Sequence, residues 1–240
     1  MTAPTLLAIS HGTSSAPGAA AVAGLVDAVA ARLDGEAPVR GGFVDVQQPD
    51  VPTCLAALTG TATVIVPLLL SAGFHVHVDL REDVDAATQA GQSVHLAGAL
   101  GPDERLVDLL ERRLRAAGLA AGDVVVLAAA GSSDDRAVAD CERTGALLAE
   151  RTGHEVRVGY IANAVPRLPD VVAAVRADRP GARIVTASYL VAPGYFQTLA
   201  EKAGGDVTTA PLLPADEAPP VELVGIVVDR YRAAAGVAAD

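Results

Sequence analysis

Two histidines and one carboxylate in this chain combine the residue types and spacing that metal or proton-transfer chemistry needs. His11 directly follows the apolar run Thr5–Ser10 and precedes Gly12, Thr13 and Ser14. His75 follows a second apolar run, VIVPLLL, and the small-residue turn Ser71-Ala72-Gly73. Asp45 lies in a third run, VRGGFVDV. Imidazole is a good ligand for divalent iron, cobalt, nickel and zinc, and in its neutral form it can accept a proton. Two imidazoles from separate strand ends and one carboxylate would hold a single ion with coordination positions left open. That is the arrangement of a reactive site, whereas a structural site is closed. The small residues at 12–14 and 71–73 would let a flat or wide ligand approach the backbone, and the N–H groups of the helices that follow favour anionic groups.

The other reactive side chains read differently. His77 alternates with His75, so in an extended segment the two point opposite ways; His75, nearer the glycine turn, is the one expected to face the site. His95 reads as structural, or as a support for a metal ligand, and His154 as a surface turn residue. Asp45 within an apolar strand would be costly to bury without a partner, which favours a role for it. Ser14 and Ser133 lack the G-x-S-x-G elbow, leaving a serine hydrolase with little support. Neither a P-loop nor a G-x-G-x-x-G fingerprint is present. Cys54 and Cys141 form no CxxC pair and read as buried fillers.

These residues must be positioned by strands and helices that alternate, the pattern of βαβ units and a parallel sheet. Strands are expected at 5–10, 39–46, 63–70, 93–97 and 124–129, and helices at 18–33, 52–58, 79–89 and 103–117. Ligands of such sheets bind beyond the carboxyl ends of the strands, where His11 and His75 fall. The cycle then repeats. VRGGFVDVQQPDVP at 39–52 aligns with VRVGYIANAVPRLP at 156–169, and LAISHGTSS with LAAAGSSDD. VPLLLSAGFH aligns with ASYLVAPGYF, and RRLRAAG with DRYRAAA. Two similar lobes, 1–120 and 121–240, are expected to face each other across a cleft. In the second, Ala130, Ala162 and Phe196 replace His11, Asp45 and His75. The second lobe keeps the turns and loses the reactive groups.

Composition narrows the function class. The chain has 240 residues, 51% hydrophobic and 20% charged, enough for a sizeable core. A formal net charge of -11 and 3% aromatic residues with no Trp argue against nucleic-acid binding, which needs a basic footprint and stacking platforms. No apolar run is long enough for a membrane span and no signal-like segment opens the chain, so a cytoplasmic protein is expected.

SHGT after the first strand, FVDVQQP after the second and PLLLSAGFHVHVDL after the third resemble the class II tetrapyrrole chelatases, in particular the sirohydrochlorin chelatase group (CbiX/SirB-like). That group inserts cobalt or ferrous iron into sirohydrochlorin for cobalamin or sirohaem synthesis. The resemblance covers nearly the whole chain, as a fused form of what shorter relatives build as a homodimer. It implies an α/β fold of two flavodoxin-like or chelatase-like lobes, each a mostly parallel four-stranded sheet flanked by helices. It also implies that His11 and His75 are metal-binding and catalytic, and that Asp45 stands where relatives often carry an acid. Gly12, Thr13, Ser14, Ser71, Ala72, Gly73 and Phe74 would surround the macrocycle. Leu80-Arg81 departs from the Ile-Pro that relatives usually carry after this motif. The implied metal is a substrate, Co2+ or Fe2+ with Ni2+ as an alternative, with no organic cofactor. The implied partner is a tetrapyrrole, bound by a monomer of two pseudo-symmetric lobes. Arg40, Arg81, Lys202 and helix N-termini are the candidates to offset the macrocycle's carboxylates on so acidic a protein. A carrier that binds metal or tetrapyrrole without turnover, and a two-lobe small-molecule binding protein with structural histidines, are the competing readings.

Overall fold

The alternation of β-branched runs with Ala- and Leu-rich amphipathic runs gives sixteen elements among the described residues. A computed structural model describes residues 3–73 and 78–236. The first half contains β1 (Thr5–Ser10), α1 (Ala16–Arg32), β2 (Val39–Phe43), α2 (Val51–Ala57), β3 (Thr63–Pro67), α3 (Leu80–Gln89), β4 (Val94–Leu96) and α4 (Glu104–Ala116). The second contains β5 (Val124–Ala129), α5 (Asp135–Thr152), β6 (Val156–Tyr160), α6 (Leu168–Asp178), β7 (Ile184–Tyr189), α7 (Tyr195–Glu201), β8 (Val207–Thr208) and α8 (Val221–Ala234). The strands form two four-stranded sheets, β2-β1-β3-β4 and β6-β5-β7-β8, in which every pairing is parallel. Among the described residues no helix is long and apolar enough to cross a membrane.

Helix starts follow from local chemistry. Ser15 Oγ accepts from Gly18 N at 3.3 Å, so α1 begins at Ala16, ahead of the expected start at 18. Asp50, Asp103 and Asp134 cap α2, α4 and α5 in the same way. Two strands stop three residues short of their expected ends. β3 stops at Pro67 instead of 70 and β2 at Phe43 instead of 46, because their neighbour β1 ends at Ser10 and turns at Gly12, whose φ is +91°. Isolated backbone bonds still run past those ends, from Leu68 N to Ile9 O (2.7 Å) and from Asp45 N to His11 O (3.0 Å).

Side-chain alternation along the strands divides the interior into three layers. Leu7, Ile9 and Ile65 face α2 and α3, and Val124, Val126, Ala128 and Ile184 face α6 and α7. The opposite faces, including Leu6, Ala8, Val64 and Val66 of one sheet and Val125, Leu127, Val185 and Ala187 of the other, meet in one continuous core filled by α1, α4, α5 and α8. The last helices are exchanged: α4 packs on β7 and α5 of the second half, and α8 on β3 and α1 of the first.

Candidate active site

The repeat survives in backbone detail at the carboxyl ends of both sheets. Val44 N bonds to Ser10 O as Ile161 N does to Ala129 O, and Asp45 N to His11 O as Ala162 N does to Ala130 O. Val46 and Asn163 both have positive φ, cis peptides precede Pro49 and Pro166, and bridges join Phe43 to Asp50 and Tyr160 to Arg167. The two ends therefore share one scaffold, and only the first carries His11 and Asp45.

His11 is exposed on the loop after β1, the strand between β2 and β3. Its loop is fixed from the β2 side. A side chain at Gly12 would place its Cβ 2.2 Å from Asp45 O, so glycine is required both by that approach and by φ +91°. Thr13 N donates to Gln47 Oε1 at 2.8 Å, and Ser15 N to Thr13 Oγ1 at 3.1 Å. Gln47 escaped the sequence reading because a lone glutamine after a strand has no periodic signal; its role exists only once β1 and β2 lie side by side. Ser14 is exposed on the same loop.

Asp45 lies two residues past β2 and is exposed, so the argument from the cost of burying it does not hold. The chain leaves the sheet there to turn at Val46, where a β-branched residue holds φ 63°. The Asp45 carboxylate accepts from Val46 N at 2.7 Å. What the structure does supply is proximity along the rim: Asp45 and His11 are joined backbone to backbone at neighbouring strand exits.

The β3 exit is tied to the other half. Tyr189 donates its hydroxyl to Leu70 O at 3.1 Å, and Ala72 N donates to Asp140 Oδ2 at 3.1 Å. A Cβ on Gly73 would meet Ser132 Oγ at 2.8 Å and Ala137 Cβ at 3.3 Å. The small residues expected to give a ligand access also admit the second half of the chain, at Ala72 and Gly73. Phe74, His75 and His77 lie outside the described residues. The pseudo-equivalent contact joins Pro193-Gly194 to Thr13 and Gly18, so each half's third-strand exit packs on the other half's first-strand exit.

The remaining candidates separate from this rim. His95 is exposed on β4 opposite Val64, near the amino end of β3. His154 places Nδ1 2.9 Å from Thr152 O and Nε2 3.2 Å from Ala120 O, closing the α5–β6 turn as expected of a turn residue. Cys54 and Cys141 are buried free thiols, and burial pushes Cys141 up to about 12, which keeps it from acting as a thiolate. Arg40 pairs with Leu7 near the start of β2, away from the carboxyl end; Arg81 opens α3 and Lys202 closes α7, both exposed. Burial, then Asp79, Asp50 and Glu82, push the Asp83 carboxyl above its ordinary range, the signature of a crowded acidic group at the start of α3. Among the described residues no three His, Cys, Asp or Glu side chains converge to hold an ion.

A sequence profile of the family described as CbiX matches residues 5–117 and 124–203, most of the chain. The chain belongs to the CbiX family. The two matched CbiX segments correspond to the two sheets with their helices, except that β8 and α8 fall beyond the second segment. Among solved structures, SirB from Bacillus subtilis with Fe3+ aligns at a TM-score of 0.77 and 21% identity, over 96% of this chain and 95% of that one. The sirohydrochlorin chelatase SirB from Bacillus subtilis subspecies spizizenii, in complex with cobalt, aligns at 0.74 and 19%, over 97% and 95%. CbiX, the terminal enzyme for biosynthesis of siroheme in denitrifying bacteria, aligns at 0.66 and 24%, over 96% and 99%. At these identities the alignments establish a shared fold. No curated protein sequence matches the chain.

Proposed function

We propose that this CbiX-family protein inserts a divalent metal, Co2+ or Fe2+, into sirohydrochlorin, using one active site on the first half. Family membership over both halves carries the proposal, joined to an exposed imidazole and an exposed carboxylate at adjacent strand exits. Metal and macrocycle are both substrates. Insertion must strip water from the ion and remove two pyrrole protons. In this reading the His11 imidazole ligates the incoming ion and the His75 imidazole takes a proton from the ring. Asp45 accepts Val46 N at Oδ1, which holds the carboxylate in place to orient an imidazole or pass a proton to solvent.

The test is anaerobic metal insertion into sirohydrochlorin followed by absorbance, with Co2+ and Fe2+ supplied separately. The intact protein is expected to exceed the no-enzyme rate, and His11→Ala and His75→Ala to lower that acceleration about a hundredfold or more. The thermal unfolding midpoint of each variant is recorded alongside, which separates loss of chemistry from loss of fold. Macrocycle binding with no acceleration would replace the enzyme with a carrier. Full activity in both variants would move the site elsewhere.

A further inference from the structure

The chain has four tyrosines, and three are interior: Tyr160, Tyr189 and Tyr231 are each 2% exposed or less. Tyr195 is 72% exposed. A large aromatic left in water in a protein with so few aromatics calls for a reason, and its position offers one. Tyr195 begins α7, directly after Gly194. The Pro193-Gly194 segment is seated on the loop that carries His11. A Cβ on Gly194 would lie 3.4 Å from Thr13 Oγ1 and 3.9 Å from Ser15 Cβ, and one on Gly18 would lie 2.2 Å from Pro193 O. Tyr195 therefore stands on the second half but at the rim of the first half's site, one residue beyond the point of contact. Its neighbour Phe196, 6.3 Å away between ring centroids and tilted by 50°, packs toward the outer core of the second half and backs the Tyr195 ring. In the repeat, Tyr195 and Phe196 occupy the places of Phe74 and His75.

We infer that Tyr195 is a substrate-binding residue: its ring lies against one face of the tetrapyrrole while the first half presents the metal ligands. The inference rests on the chelatase reading and assigns the second half a task within it. A flat conjugated macrocycle offers a broad π-face, and an exposed phenol ring on a fixed helix start is suited to stacking on it or meeting it edge to face. The half that lost the imidazole at 196 keeps an aromatic there and places another beside it, so it grips the substrate without taking the metal.

The experiment measures binding and turnover separately. Metal-free sirohydrochlorin is titrated into the intact protein, Tyr195→Ala and Tyr195→Phe, and read by the shift of the macrocycle's absorbance band. Metal-insertion kinetics are recorded on the same proteins, with Val221→Ala, another exposed apolar residue at 80%, as a surface control. Tyr195→Ala is expected to raise Kd and KM about tenfold, the scale of one aromatic stacking contact. Its kcat should stay within about twofold of the intact protein, since only binding shared by ground and transition states is lost. Tyr195→Phe, which keeps the ring, should restore binding, and Val221→Ala should match the intact protein. If Tyr195→Ala binds and turns over normally while His11→Ala is inactive, the inference falls and the chelatase reading stands. If the intact protein neither binds the macrocycle nor inserts metal, both fall. A Tyr195→Ala protein that loses kcat alone would assign Tyr195 to shaping the His11 loop and overturn its role as a stacking surface.

Discussion

At the scale of single residues, backbone conformation governs where the reactive groups stand. Gly12 sits between His11 and the Thr13–Gln47 hydrogen bond, with a positive φ and the Asp45 carbonyl where a side chain would be. Gly12→Ala is expected to cost about 1–3 kcal/mol in urea unfolding, the range for a strained backbone position. The loop can relieve the overlap only by moving His11 from Asp45, so metal insertion should fall more than stability does. Unchanged activity would show that the His11–Asp45 spacing is not what the glycine protects. Asp45 illustrates the limit of reading chemistry from a local run. Its apolar neighbours suggested a buried acid, yet the strand ends before it and water solvates it.

At the scale of elements, α8 decides more than its place at the chain's end suggests. Leu223, Ile226, Val227 and Tyr231 are buried on the first half, each contributing about 1.5–3 kcal/mol of apolar burial. Polar ties fix its register: Arg112–Glu222 at 2.5 Å, Arg113–Glu217 at 2.7 Å, Arg232–Glu36 at 2.8 Å, and Tyr231 Oη donating to Pro4 O at 2.7 Å. In each pair one side chain is largely covered and the other reaches water, so each adds less than the apolar packing, and the ion pairs set pH dependence. Hydrogen bonds from Arg112, Arg113 and Arg232 hold the Glu222, Glu217 and Glu36 carboxyls below their ordinary 4.5. For carboxylates so depressed, the stabilisation is present above pH 4.5 and is lost as the pH falls through the lowered folded values. The urea midpoint is therefore expected to decline below pH 4.5, and Glu222→Gln should make that decline shallower while lowering the plateau at neutral pH. A Glu222→Gln profile parallel to the intact protein's would remove this pair from the acid response.

At the scale of the whole molecule, the two halves share one core and are tied together at the rim of the proposed site. Tyr189 is the clearest stitch. Burial pushes its phenol well above the ordinary range, and its hydroxyl reaches from β7 to the Leu70 carbonyl past Gly101, where a Cβ would lie 2.4 Å from it. Tyr189→Phe leaves that carbonyl buried without its donor, a loss of about 1–3 kcal/mol in unfolding free energy. Because Leu70 leads directly to residues 71–73, hydrogen exchange should quicken there ahead of the rest of the first sheet. Uniform exchange across the chain would mean the stitch serves global stability alone.

Much of this protein is legible from its residues in order. Apolar alternation and turn chemistry mark the strands and helices, spaced glycines and prolines reveal the internal repeat, and SHGT with SAGFHVHVD points to the family. These are local or periodic properties, and neighbours in the chain suffice to express them. The sequence could not show that α4 and α8 change places between the halves, since either sheet could take their similar apolar faces. Nor could it show that Gln47 holds the His11 loop, that Ser132 fills the space beside Gly73, or that Asp45 lies in solvent. Each of these depends on which loop ends up against which. That is settled only when two parallel sheets close on a shared core and bring chain-distant strand exits into contact.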